Sequence, residues 1–265
     1  MIDYKNICLK TCDIAKQAGD FIRNEANSIS AKSVEVKGLH NFVTYVDKGA
    51  EKLIVERLQQ LLPEAGFIAE EGTITERGSR FDWVIDPLDG TTNFIHGLPP
   101  YAVSIGLLEN NIPVAGVVYE ITLDECFYAW KDGPAFLNGK EIRVSGRAKV
   151  QDSLIATGFP YYDYHLMRPY IECLEYFLKN SHGVRRLGSA ATDLAYVACG
   201  RFEAFYEYSL SPWDVVGGAF ILQQAGGRIS DFSGGDNFIF GKELVAANDL
   251  IFDEFLETVQ RFIKK

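Results

Sequence analysis

From Ala102 to Trp130 three apolar or alternating runs, VSIGLLEN, IPVAGVVYE and ECFYAW, follow one another with only polar residues and Pro113 between them. Short runs broken by turn residues predict strands of an antiparallel meander. Helical spacing surrounds it. Ile7, Ile14, Ala18, Phe21 and Ile22 share a face over residues 3–27, and Val46, Leu53, Ile54, Leu58 and Leu61 do so over 46–62, where Pro63 ends the helix. GFIAEEG and FDWVIDP then read as short strands, each closing on acidic residues. Further on come a helix near 165–179, a helix at GSAATDLAYVA, the strand EAFYEY, a helix from Pro212 to Ala225 and a closing helix from Ile251 to Ile263. Helices and strands alternate without a regular βαβ rhythm, which predicts an α+β fold: a layered α/β sandwich of helices with mixed or antiparallel sheets. Neither a Rossmann fold nor a simple barrel fits, and no repeat, low-complexity tract or linker interrupts the chain.

At 265 residues and 47% hydrophobic content the chain can bury a large core. Its formal net charge of -10 repels polyanions, so nucleic acid is not expected as the main ligand. A phosphorylated small molecule is still compatible if bound cations reverse the local sign. The opening MIDYKNICLKTCDIAKQAGD carries charges every few residues, unlike a signal peptide or a membrane span, so no membrane association and a cytoplasmic location are expected. Cys8, Cys12, Cys126, Cys173 and Cys199 are odd in number and form no CxxC pair, which predicts buried thiols instead of disulfides or a zinc site. No GxGxxG follows a strand, and GxxxxGK[ST], HExxH and GxSxG are absent, which removes the usual nucleotide-binding, zinc-protease and serine-hydrolase readings.

The chemistry concentrates in FDWVIDPLDGTTNF, residues 81–94. Val84 and Ile85 mark a buried strand, and Pro87, lacking an N–H, is expected to force the chain out of the sheet. Asp86 and Asp89 bracket that exit and can converge on a hard cation such as magnesium, with the Leu88 carbonyl as a further oxygen ligand. The other reading is that both only make turn and cap hydrogen bonds. Gly90, Thr91, Thr92 and Asn93 can open a short helix whose N–H groups meet a phosphate, and carboxylates beside an anion site call for intervening cations. Glu70 and Glu71 are read as adjacent strand residues pointing to opposite faces, so at most one is a direct ligand. Asp214, taken alone, reads as a helix cap.

Three separated stretches, Glu70-Glu71, DPLDGTTNF at 86–94 and WDVVGGAFILQQAGG at 213–227, resemble the inositol monophosphatase family in order and spacing. NFVTYVDKGAE (41–51) and RRLGSAATDLAYVACGRFEAFYE (185–207) extend the resemblance over essentially the whole chain. It implies one domain over 1–265 in two halves, a metal-binding half to about residue 145 and a substrate half beyond it. It implies two or three magnesium ions per site: Glu70, Asp86 and the Leu88 carbonyl hold one, and Asp86, Asp89 and Asp214 hold another. Glu71 becomes a weaker metal contact, Asp47 and Thr91 a pair beside the attacking water, with Glu70 also able to accept its proton, and Lys37 a nearby cation. Gly90 and Thr91 give N–H groups to phosphate, while Gly188, Ser189, Ala190, Glu207 and Asp214 meet the rest of the substrate and Arg185 matches a basic position just upstream. A homodimer and inhibition by lithium are further implications.

The expected activity is magnesium-dependent hydrolysis of a small phosphate monoester, with myo-inositol monophosphate first. The same chemistry on fructose 1,6-bisphosphate, histidinol phosphate or adenosine 3',5'-bisphosphate is the rival, and TTNF looks more like the inositol phosphatase branch than the histidinol or nucleotide branches. A different class, a non-catalytic magnesium-dependent sugar-phosphate sensor or a protein-binding partner, is the other alternative. Trp83 and Trp213 are expected as apolar walls beside the ligands, and His96 as a packing or hydrogen-bonding residue. YYDYH at 161–165 reads either as a surface loop or as a subunit contact.

Overall fold

The structure, a computed structural model, describes residues 2–26, 34–38, 41–74 and 76–263. Helix α1 (Tyr4–Glu25) is capped by Asp3, whose carboxylate accepts from the Asn6 N–H, and it buries Ile7, Cys8, Ile14, Ala15, Ala18 and Ile22 along one face. The strands β1 (Val34–Gly38) and β2 (Asn41–Thr44) form a separate antiparallel hairpin that runs into α2 (Tyr45–Leu61). Next come β3 (Gly66–Ala69), β4 (Phe81–Asp89), the short α3 (Thr91–Ile95), β5 (Ala102–Glu109), β6 (Ile112–Glu120), β7 (Glu125–Trp130), β8 (Ala135–Leu137) and β9 (Lys140–Ile142). The seven strands from β3 to β9 make one sheet in sequence order, with β3 and β4 parallel and every later pair antiparallel. The meander read between Ala102 and Trp130 is the middle of this sheet.

The second sheet is mixed. Its strands β10 (Leu154–Thr157), β11 (Gly183–Arg185), β12 (Ala204–Tyr208), β13 (Gly227–Ser230) and β14 (Glu243–Asn248) stand in the order β11-β10-β12-β14-β13. Four helices accompany it: α4 (Met167–Asn180), α5 (Ala190–Ala198), α6 (Pro212–Gln224) and α7 (Phe252–Phe262). Strand alternation sorts their side chains into three cores. Val103, Ile105 and Leu107 of β5 face α1 and α2, whereas Ala102 and Leu108 face α5 and α6. Phe205 of β12 joins that same middle core, while Ala204, Tyr206 and Tyr208 pack against α4 and α7. The result is five layers, helices, sheet, helices, sheet, helices, as the layered reading required.

Helix α6 is the hinge of the stack. Val215, Val216, Ile221 and Leu222 are all fully buried, each contributing roughly 1.5–3 kcal/mol of transfer free energy. It lies so close to the first sheet that a Cβ on Gly116 would sit 2.4 Å from the Gly217 carbonyl oxygen, and one on Gly217 would sit 2.9 Å from Ser104 Oγ. Helix and sheet touch backbone to backbone, which fixes the height of the α6 N-terminus above β5.

Two local readings change. Pro87 does not end β4: the pairing with β5 skips residues 87 and 88 and resumes at Asp89 opposite Ala102, so the missing N–H falls in a bulge. Glu70 and Glu71 lie beyond the end of β3, where strand alternation no longer applies. The five cysteines are free thiols, four of them buried, and Cys12 lies against both Cys8 and Cys126. Among the described residues no helix is long and apolar enough to cross a membrane.

Candidate active site

The pleat of β4 decides where its acids go. Phe81, Trp83 and Ile85 face α1 and α2, whereas Val84 faces α5 and α6, and Asp86 is one pleat beyond Val84 on that same side. Trp83 therefore packs in the first core, away from the cleft, while Trp213 does line it. The cleft opens where β4 ends and where α5 and α6 begin, and is lined by Glu70, Asp86, Leu88, Asp89, Glu207 and Asp214 together with Gly90 to Thr92, Gly188 to Ala190 and Gly158 to Tyr162.

Each of three aspartates is held through one oxygen by backbone N–H groups. Asp86 Oδ1 accepts from Leu88 at 2.9 Å. Asp89 Oδ2 accepts from the Ala191 N–H and the Ser189 hydroxyl, both at 2.7 Å, so it closes the N-terminus of α5, where Ser189 is also the cap. Asp214 Oδ2 accepts from the Ser211 N–H at 2.7 Å, half of a capping box at the start of α6. The turn-and-cap reading of these acids thus holds for one oxygen of each, and the same residues also face the cleft.

Thr91 Oγ1 is 3.0 Å from both Asp47 Oδ1 and the Leu88 carbonyl oxygen, which joins the first turn of α2 to the loop after β4. Gly90 sits at φ 95°, and a Cβ there would also stand 3.0 Å from the Pro100 carbonyl, so the turn into α3 admits only glycine without strain. The acids converge without a finished coordination shell: among the described residues no three His, Cys, Asp or Glu side chains are placed to hold an ion as they stand.

The inositol monophosphatase family model matches residues 4–264. The chain belongs to the inositol monophosphatase family. It is a phosphoric monoester hydrolase, a phosphatase of that superfamily, and the family's catalysis is metal-dependent. The Nus factor SuhB of Pseudomonas aeruginosa is 40% identical over 260 residues, covering 96% of this chain and 95% of that protein. The fructose-1,6-bisphosphatase/inositol-1-monophosphatase of Thermotoga maritima is 39% identical over 234 residues, 88% of each chain. The crystal structure of the extragenic suppressor protein suhB from Bartonella henselae superposes with a TM-score of 0.90 at 37% identity, covering 95% of this chain and 97% of that one.

The electrostatics of the cleft are those of acids crowded together. Burial, and then the charges of Glu70, Asp89 and Asp214, hold the Asp86 carboxyl well above its usual range. Desolvation lifts Asp214 to about 8, with Asp89 adding to it. Asp89 rises only to about 6, because the Ser189 and Ala191 bonds favour its charged form. Glu207 on β12 is desolvated to about 8 despite the nearby Arg186. Its carboxylate fills the space over Gly158, where any Cβ would meet it at 2.0 Å.

Not every residue singled out in the sequence reaches the cleft. Arg185 is exposed at the end of β11 with its Nη1 on the Val184 carbonyl; it is the next residue, Arg186, that lines the site. A strand ending at 185 turns alternate side chains apart, which the sequence alone could not phase. His96 is exposed at the end of α3 and lines a different hollow, so it packs against nothing in the site. Glu71 does not line the cleft, and the Lys37 side chain lies outside the described residues.

The positioning roles of two further residues, Asn93 and Glu51, were not read from the sequence. Asn93 donates both amide hydrogens, to the Pro100 and Leu187 carbonyls at 2.8 Å each, and so ties the turn after Gly90 to the irregular stretch leading into α5. Buried Glu51 accepts from the Glu71 and Thr73 N–H groups and the Thr73 hydroxyl, holding the turn that carries Glu70. Its place four residues after Asp47 on one face of α2 was the available hint.

Proposed function

We propose that this chain hydrolyses myo-inositol monophosphate to inositol and phosphate by magnesium-assisted attack of water. The observation that carries the reading is the meeting of Asp86 and Asp89 from β4 with Asp214 from α6, each with one oxygen fixed by a backbone donor. Carboxylates and the Leu88 carbonyl are hard oxygen donors, which suits magnesium, and a cation would offset the burial and the mutual repulsion that raise these carboxyls. In this reading Glu70, Asp86 and the Leu88 carbonyl hold one ion and Asp86, Asp89 and Asp214 a second, with room for a third left open. Magnesium bound there would acidify water and offset charge on the phosphoryl group.

The chain's own residues orient and exchange protons. Thr91 Oγ1, donating to Asp47, presents its lone pairs to an O–H of the attacking water, and Asp47 or Glu70 accepts the proton that the water gives up. Backbone N–H groups of Gly90 and Thr91 hold the phosphate oxygens. Glu207 accepts hydroxyls of the alcohol, and Gly188, Ser189 and Ala190 flank it. Arg185 has no part in this reading.

Phosphate release from inositol 1-phosphate with magnesium, abolished by chelation and by Asp89→Asn in a chain that still melts cooperatively, is the expected result. Asp47→Asn with full turnover removes Asp47 from proton uptake. Sugar phosphatase activity on fructose bisphosphate is the neighbouring reading, favoured by the double name of the Thermotoga maritima relative. The Nus factor name of the Pseudomonas aeruginosa relative favours a protein partner as an added role; saturable binding of inositol phosphate without turnover would support the non-catalytic alternative. A homodimer belongs to the same proposal, supported by Leu98 and Leu123, 57% and 61% exposed beside one apolar hollow. A monomer in sedimentation equilibrium overturns that part, and activity unchanged by lithium overturns the expected inhibition.

A further inference from the structure

We propose that Gly158 sets the preference of this site for a polyol: its missing side chain lets the Glu207 carboxylate lie back against the chain, facing the leaving alcohol without taking its place. The inference rests on the phosphatase reading above, which gives Glu207 the hydroxyls of the alcohol. Gly158 is then the positioning residue for Glu207.

Backbone conformation does not call for glycine here. Gly158 lies outside the left-handed range that Gly90 and Gly188 occupy, so a side chain would meet no strain in its own main chain. What excludes one is the head of Glu207, whose Cδ, Oε1 and Oε2 would stand 2.0, 2.0 and 2.1 Å from a Cβ. Contact at all three atoms means that the carboxylate lies flat over the glycine. Gly158 directly follows β10, Glu207 is on the neighbouring β12, and both line the cleft.

The main chain beneath cannot give way. Tyr170 of α4, fully buried, donates its hydroxyl to the Gly158 carbonyl at 2.9 Å and stands 3.0 Å from the Tyr206 carbonyl, which Thr157 Oγ1 also meets at 3.0 Å. The ends of β10 and β12 are thus pinned at one buried point. Glu207 meets Gly158 with the far end of a flexible side chain, so a methyl group at 158 moves that end and little else. On the inner side stands Asp193 of α5, 1% exposed, whose carboxyl oxygens have no hydrogen-bond partner among the described residues and whose charge is opposed by that of Glu207. No donor receives a displaced carboxylate there. Arg186, which attracts Glu207, lines the open side, so the displaced head turns outward into the space of the alcohol.

Inositol 1-phosphate and cyclohexyl phosphate share a six-membered ring and differ in the ring hydroxyls, and kcat/KM is measured for both with magnesium. In Gly158→Ala the inositol-to-cyclohexyl ratio is expected to fall about 10-fold, mainly through KM, the scale of one hydrogen bond to a charged group. Glu207→Asp lowers the ratio in the wild-type chain; added to Gly158→Ala it raises the ratio above that of Gly158→Ala alone, because a side chain one methylene shorter leaves room for the methyl. Equal falls for both esters would mean that Gly158 serves packing alone. An unchanged ratio, or effects of the two substitutions that simply multiply, would mean that it does not act through Glu207; each of these overturns the inference. If Gly158→Ala does not melt cooperatively, Gly158→Ala combined with Glu207→Ala decides: a recovered transition places the conflict at Glu207, and no recovery overturns it. If neither ester is hydrolysed by the wild-type chain the phosphatase reading fails, and calorimetric titration of both esters into the magnesium-loaded wild type and Gly158→Ala still decides the role of Gly158 from the ratio of binding constants.

Discussion

The floor of the cleft and its outer wall are built to different standards. On the floor, Asp86, Asp89 and Asp214 are fixed by backbone donors, Asn93 makes two bonds, and Glu51 accepts three. The wall from Gly158 to Tyr162 is irregular chain, joined to Arg186 through Tyr161, with two exposed tyrosines at its rim. The acids of the floor are held by elements whose positions the core dictates, and so is Glu207 on β12. Outward of Gly158, the wall is a segment that can change without disturbing them.

The contrast predicts unequal responses to mutation. Asp86→Asn keeps the size and the Leu88 hydrogen bond but removes the charge, and should lower phosphate release on the order of 1000-fold or more, since the charge that holds a catalytic cation acts directly on the transition state. Retention of more than a tenth of the activity would break the two-metal reading of the floor. Asn93→Ala leaves the buried Pro100 carbonyl and the half-buried Leu187 carbonyl without this donor and should cost about 2 kcal/mol of stability, a drop of several degrees in melting temperature, with turnover falling as the Gly90 loop loosens.

Titration sharpens the same contrast without a mutation. Folding raises Asp89 to about 6 and Asp214 and Glu207 to about 8, so in chelator the folded chain keeps protons that the unfolded chain has released. Stability is therefore present at the acid end, is lost as pH climbs from about 4 to about 8, and levels off above that. Melting temperature in chelator should be higher at pH 5 than at pH 8.5, with magnesium narrowing the gap; a curve that rises with pH over this window contradicts the assignment. The smallest effect belongs to the wall: Tyr162→Ala should change stability by less than about 0.5 kcal/mol and leave turnover of inositol 1-phosphate nearly intact.

Much of the scaffold was legible because it follows strong periodic signals. The start of α1, the run of β5 to β7, and the apolar helix from Pro212 were within reach of spacing and capping rules. The short strands β8 to β11, β13 and β14 were not, since three to six residues with mixed polarity carry no period until a neighbouring strand supplies it. Pro87 misled for a related reason: whether a missing N–H ends a strand or sits in a bulge depends on what the partner strand does opposite it. In the site, Asp86, Asp89 and Asp214 could be named from motif, and their turn and cap bonds were open as the other reading; what the sequence set as alternatives, the structure joins, one oxygen of each making the turn or cap bond while the residue faces the cleft. Arg186 escaped because one residue of phase on β11 separates it from Arg185, and phase is a property of the sheet.

The bond from Ala191 to Asp89 spans 102 residues of sequence. During synthesis, a chain that has emerged only through β9 already carries Glu70, Asp86 and Asp89, yet the donors that orient Asp89 have not been made. Ser211 and Asp214 come later still. An acidic loop that gathered cations early would do so in the wrong geometry, and would be corrected only when α5 and α6 slide between the sheets. The closeness of Gly116 to Gly217 leaves no room for a side chain between helix and sheet, so Asp214 takes its place beside Asp86 and Asp89 only when α6 is seated against β6.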